Sequence, residues 1–140
     1  MAIKIEIVGP LVDVIVTEAL ATSDLPDLLA AITSARRRGP FVLITDTLKM
    51  KSAPLPIISA FSDGLKKLPP MKDVWLADAV LINSGFARFA LSTLAMLAPL
   101  PTEVKVFEHR AAGEQWCTAI LEKAGVSLPA HWKSSNRASQ

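Results

Sequence analysis

A single cysteine, Cys117, stands among the 140 residues, which excludes an intramolecular disulfide. Histidine is nearly as scarce, with only His109 and His131. Their acidic and thiol neighbours Glu108, Glu114 and Cys117 do not match a metal-ligand spacing, and no set of four good ligands is present. The histidines therefore read as surface or helix-capping residues, and no metal or cofactor is expected. There is no glycine-rich phosphate loop. Gly85 opens a helical stretch after Asn83-Ser84, where capping by Asn83 or Ser84 explains the residues without a bound anion. No uncharged run is long enough to cross a bilayer, so no integral membrane segment is expected. The start of the chain alternates like a strand and lacks a signal-peptide core, which makes the cytoplasm the default location. A formal net charge of +2 is too small to argue for nucleic acid or an anionic membrane.

What is abundant is apolar surface. Hydrophobic residues make up 51% of the chain and the mean hydropathy is +0.37, high for a soluble domain. The excess points to a second buried surface, either a dimer interface or a lipid pocket. The length fits one domain, assigned to residues 1–126, followed by a polar tail over 127–140 that is expected to be partly disordered.

Ile3, Ile5 and Ile7 alternate with Lys4 and Glu6, and Val12, Val14 and Val16 alternate with Asp13, Ile15 and Thr17. Period two with a polar face marks half-buried strands, and Gly9-Pro10 between them predicts an antiparallel hairpin. Further strands are expected at Phe41–Thr45, Val74–Ile82 and Glu103–Phe107. A helical stretch follows each strand from the second onward. The order ββαβαβαβα predicts an α/β domain with a single mixed, mostly parallel five-stranded sheet. The wet strand faces place the helices mainly on one side of it.

The first helix is expected over Asp24–Arg38, capped by Ser23 or Asp24, with Leu25, Leu28, Leu29 and Ile32 as its apolar stripe. Arg36-Arg37-Arg38 complements the dipole at its end. The second starts near Pro54 and stops at Pro69-Pro70. The third, over residues 85–98, carries a single charge, Arg88. Phe86, Phe89, Ala90, Thr93 and Leu97 are expected to face the sheet, leaving Leu91, Leu94 and Met96 directed partly elsewhere. A helix apolar all round is normally covered all round, so a partner subunit is the expected cover, with a bound lipid next and plain burial under the neighbouring helices third. The last helix, about Ala111–Lys123, would turn Trp116, Ala119 and Ile120 inward and stop at Gly125.

No catalytic set emerges. Cys117 has no local base and reads as a small core residue. Asp46 and Asp78 interrupt apolar strands, and together would suggest acid/base work or a cation site; Asp78 would be costly if buried and unpaired.

The segment order resembles a STAS-type domain, more specifically the SpoIIAA-like group, whose fold is shared with the CRAL-TRIO/Sec14 lipid-binding domains. The resemblance spans about Ile3 to Gly125 and rests on Phe41-Val42-Leu43-Ile44-Thr45-Asp46, on Val104-Lys105-Val106-Phe107, and on a helix carrying Ala112 and Trp116. It implies a sheet with helices stacked on one side. Regulatory STAS proteins carry Asp-Ser-Ser-Gly at the start of the second helix, with the first serine phosphorylated. Lys51-Ser52-Ala53-Pro54 stands there in this chain, so Ser52 takes the phosphorylated position while Lys51, Ala53 and Pro54 depart from the motif. Capping of the helix by Ser52 is the simpler role.

The leading functional expectation is a non-enzymatic protein-interaction or regulatory module. It would self-associate, as a dimer, through the apolar third helix, with Phe86, Arg88, Phe89, Leu91, Leu94 and Met96 as the contact surface. Met50, Lys51, Ser52 and Asp46 would form a partner or phosphorylation loop. The alternative is a small carrier or sensor of a lipid or other apolar ligand. Its pocket would be lined by Phe86, Phe89, Met96 and Leu97, with Arg88 meeting a head group. An enzyme comes last.

Overall fold

The computed structural model describes residues 3–97 and 100–128. Its strands are β1 (Ile3–Val8), β2 (Leu11–Val16), β3 (Phe41–Asp46), β4 (Trp75–Leu81) and β5 (Val104–Phe107). The helices are α1 (Leu25–Arg38), α2 (Leu55–Lys66), α3 (Gly85–Leu97) and α4 (Arg110–Lys123), and a 3-10 turn at Thr22–Asp24 precedes α1.

β1 and β2 pair antiparallel, with Ile3 opposite Val16 and Val8 opposite Leu11. Gly9 makes the two-residue turn possible with φ at 58°, a left-handed conformation that costs glycine little. β2 to β5 run parallel, and the sheet order is β1-β2-β3-β4-β5. Each crossover therefore advances one strand in the same direction. Right-handed crossovers then place α1, α2 and α3 on the same face. α4 follows the last strand, has no strand to return to, and folds across the opposite face onto β3 and β4. The expected architecture, a mostly parallel five-stranded sheet with helices mainly on one side, is the one observed.

Strand alternation divides the interior in two. Val12, Val14, Val16, Phe41, Leu43, Trp75, Val80 and Ile82 belong to the core under α1–α3. Leu11, Val42, Ile44, Ala77, Ala79 and Leu81 pack with Cys117 and Leu121 under α4. The β3–β4 register slips once. Phe41 pairs with Trp75 but Val42 pairs with Ala77, and the Phe41 and Trp75 rings stack at 6.0 Å.

Two local expectations are corrected. Asp24 holds the N-cap position of α1 but makes no cap bond there; its carboxylate accepts the N–H of Ala21 at 3.0 Å instead, closing the 3-10 turn. On α4 the buried residues are Gly113, Glu114, Cys117 and Leu121. Trp116 and Ile120 pack at the margin and Ala119 is exposed. The cause is Gly113, where a Cβ would come within 3.0 Å of Leu81 and 3.4 Å of Ala79. Its missing side chain draws that side of the helix against the sheet. Beyond α4, Val126 and Leu128 pack on the same cluster. Residues 129–140, including His131 and most of the expected tail, lie outside the described residues.

Candidate functional site

α3 is capped by Ser84, whose Oγ accepts the Ala87 N–H at 3.3 Å, and it packs chiefly against α2. Ala87 is its only buried residue. Ala87, Ala90, Leu91 and Leu94 turn inward, whereas Phe86, Phe89, Met96 and Leu97 are exposed, Met96 by 86%. This reverses most of the expected orientation: Phe86, Phe89 and Leu97 do not face the sheet, and Leu91 and Leu94 are not part of the outer surface, while Ala90 turns inward as expected. The helix carries two adjacent apolar stripes, and hydropathy favours the aromatic one. Packing favours the alanines, because small side chains let α3 lie close to α2. The outer stripe runs through Phe86, Phe89, Met96 and Leu97, with Thr93 between the aromatic and the aliphatic pair, its Oγ1 donating to the Phe89 carbonyl at 2.9 Å.

Beneath α3, between the sheet and α1 and α2, lies a partly open cavity of about 150 Å³. Val14, Ile32, Leu43, Phe61, Leu91 and Leu94 contribute to its apolar wall, and Thr45, Thr47 and Asp78 are the polar residues on it. Thr47 Oγ1 donates to the Leu81 carbonyl at 2.6 Å. Thr45 Oγ1 donates to Asp78 Oδ1 at 2.8 Å. Burial pushes the Asp78 carboxyl up to about 7, and the Thr45 bond only partly opposes it. The expected pocket lining of Phe86, Phe89, Met96 and Leu97 is thus replaced by the other side of the same helix. Arg88 lies away from this cavity, in a wider polar groove with Asn83, Ser84, Glu108 and His109.

The loop between β3 and α2 is placed differently from expectation. Met50 is buried and lines the cavity, so it is a core residue. Ser52 does not cap α2: Pro54 takes the N-cap position without a side-chain bond. Ser52 lies in an extended bridge to Ala19, and its carbonyl accepts the Leu20 N–H at 3.0 Å. Lys51 is exposed and pairs with Glu18 at 3.5 Å. Prolines at 54 and 56 favour an extended entry, which moves the helix start past Ser52.

Asp46 and Asp78 do not form a pair, since they point to opposite faces of the sheet. Asp46 Oδ1 accepts the Leu48 N–H at 3.0 Å, and its Oδ2 lies 3.4 Å from Arg110. Arg110 also reaches Asp13 at 2.8 Å and Glu114 at 3.2 Å. Burial disfavours the guanidinium charge, but these carboxylates, Asp13 foremost, raise its pKa overall. Sequence reasoning missed this cluster. Its one local signal was the Arg110–Glu114 spacing of four on a helix.

Cys117 is fully buried, and burial, assisted by the charge of Asp78, pushes its thiol up, so it is a poor nucleophile. His109 is exposed at the N-cap of α4 and makes no cap bond. Among the described residues no group of three or more histidines, cysteines or carboxylates is arranged to hold a metal ion. No helix among them is long and apolar enough to cross a membrane.

The class defined by this architecture is the SpoIIAA-like α/β fold. The chain is similar to an uncharacterized protein of the DUF3478 family with a SpoIIAA-like fold from Shewanella loihica PV-4. The TM-score is 0.56 at 19% identity, covering 83% of this chain and 92% of that one. It is also similar to an anti-sigma factor antagonist from Mycobacterium paratuberculosis, with a TM-score of 0.51 at 14% identity and the same coverage of each chain. No family model matches the sequence, and no curated protein is similar to it in sequence. At these identities the likeness is one of fold.

Proposed function

We propose that this protein is a non-enzymatic, regulatory interaction module of the STAS/SpoIIAA type that docks through the outer face of α3, with a second copy of the chain as its partner. The observation that carries the reading is the exposed stripe of Phe86, Phe89, Met96 and Leu97 on one helix. Large exposed apolar side chains gathered on one helix face are characteristic of interaction sites. A fold neighbour that is an anti-sigma factor antagonist supports a regulatory role. Ser52 and Lys51, ahead of the first turn of α2, remain a proposed partner or phosphorylation loop: Lys51 is exposed and Ser52, which bridges to Ala19, is half-buried.

Size-exclusion chromatography with light scattering tests the docking reading. Met96→Glu is expected to convert a dimer to a monomer without loss of folded structure. A monomeric wild-type chain at high micromolar concentration would sink self-association through α3.

A lipid carrier is the weaker reading. The cavity is comparable to one that holds a single benzene, well short of the room an acyl chain needs.

A further inference from the structure

The cavity carries a feature that packing alone does not explain. A carboxyl group stands in an apolar wall, and burying a carboxyl costs stability unless its oxygens are satisfied. Thr45 is the hydrogen-bond partner of the Asp78 side chain among the described residues, and it reaches Oδ1 only. Asp78 is half-buried and lines a space that opens partway to solvent, so a molecule entering the cavity can reach it. Among the described residues, the walls contributed by β1–β4 and α1–α3 hold no other titratable side chain. Behind the strand, on the α4 face, Cys117 feels the charge of Asp78 but has a raised pKa and stays neutral.

We propose that this cavity binds a small single-ring amine, with the ring in the apolar space and the ammonium group paired to the Asp78 carboxylate. The volume matches: a cavity of about 150 Å³ lined by aliphatic and aromatic side chains accepts a benzene-sized molecule. The charge matches as well, because no cationic side chain among the described residues lines the cavity, and an ammonium ion supplies the counter-charge together with a donor for the carboxylate oxygen that Thr45 does not reach. Burial holds the free carboxyl near 7, so the unliganded site is neutral at mildly acid pH and charges as the amine binds. This site lies against the inner face of α3, whereas the proposed docking surface is the outer one, so the two are independent.

Isothermal titration of the full chain with benzylamine, benzyl alcohol and toluene, at pH 6 and pH 8, is the test. At pH 8 benzylamine is expected to bind at least about tenfold more tightly than benzyl alcohol, a difference of about 1.4 kcal/mol. Its affinity is expected to fall about tenfold at pH 6, because the ionised fraction of a carboxyl titrating near 7 falls by that factor. Asp78→Asn should abolish the advantage of the amine over the alcohol. Ala90→Leu should block all three by filling the cavity while leaving Asp78 in place. Equal affinity for amine and alcohol at pH 8, binding that survives Ala90→Leu, or no binding of any probe at millimolar concentration would each overturn the proposal. If Asp78→Asn fails to fold, the pH ratio and Ala90→Leu decide it.

Discussion

The two faces of this one sheet are built to different tolerances. Under α4 the packing is closed. Gly113 brings the helix against Leu81 and Ala79, Cys117 and Leu121 are fully buried, and Arg110 ties the first turn of the helix to Asp13 on β2 and Asp46 on β3. Under α1–α3 the packing is open. α3 buries a single residue, roofs a cavity of about 150 Å³ and turns Phe86, Phe89, Met96 and Leu97 to solvent. Rigid packing resists change, whereas loosely held elements are where proteins place motion and binding. On the proposed reading, α4 serves stability and α3 serves docking.

The largest expected effect falls on the closed face. Arg110→Ala leaves Asp13, Asp46 and Glu114 facing one another, and Glu114 already has a buried oxygen without a partner. Removing one member of a partly buried ion cluster is expected to cost about 3 kcal/mol, read as a lower urea midpoint.

Asp78→Asn probes the open face and has the opposite sign. The folded carboxyl titrates near 7 against an ordinary value of 3.8, so the folded state holds a proton that the unfolded chain releases between those values. Wild-type stability therefore falls as pH rises through that window and levels off above it. The neutral amide of the substituted asparagine mimics the protonated carboxyl. The shift from 3.8 to about 7 sets an upper bound of about 4 kcal/mol at pH 8. Because the residue is only half-buried, the variant is expected to be about 2 kcal/mol more stable than wild type at pH 8 and nearly equal to it at pH 4, and denaturant titrations at the two pH values check this.

Gly113→Val returns to the closed face, where overpacking against Leu81 is expected to cost about 1.5 kcal/mol, seen in the thermal midpoint. Smallest in stability is Phe89→Asp on the outer stripe of α3. A surface change there is expected to stay within about 0.5 kcal/mol, yet light scattering should show a loss of the dimer. A Phe89→Asp chain that stayed dimeric would separate the apolar stripe from self-association.

The fold was legible because strand alternation and turn residues are local signals. Ile3–Ile7, the valines of β2 and Gly9-Pro10 predict the hairpin, and the order of the later elements then constrains the crossovers. The facing of α3 was not legible. Two apolar stripes share that helix, and the choice between them rests on the fit of Ala87 and Ala90 against α2, a tertiary property. Ser52 was misplaced for a related reason: the prolines after it delay the helix beyond the position that the motif comparison assigns. Asp78 was visible as a polar residue in an apolar strand, but the cavity that gives it meaning is made by residues distant in sequence. The Arg110 cluster joins β2, β3 and α4, so only its helical pair could be seen beforehand.

Hydrogen exchange of the backbone amides, followed over a range of protein concentrations, tests the central claim most directly. The amides of α3 are expected to exchange well before those of α4 in dilute protein, and to gain protection as the concentration rises and the outer stripe is covered by a second chain. An α3 as protected as α4 in dilute protein, or one whose exchange ignores concentration, would contradict the account.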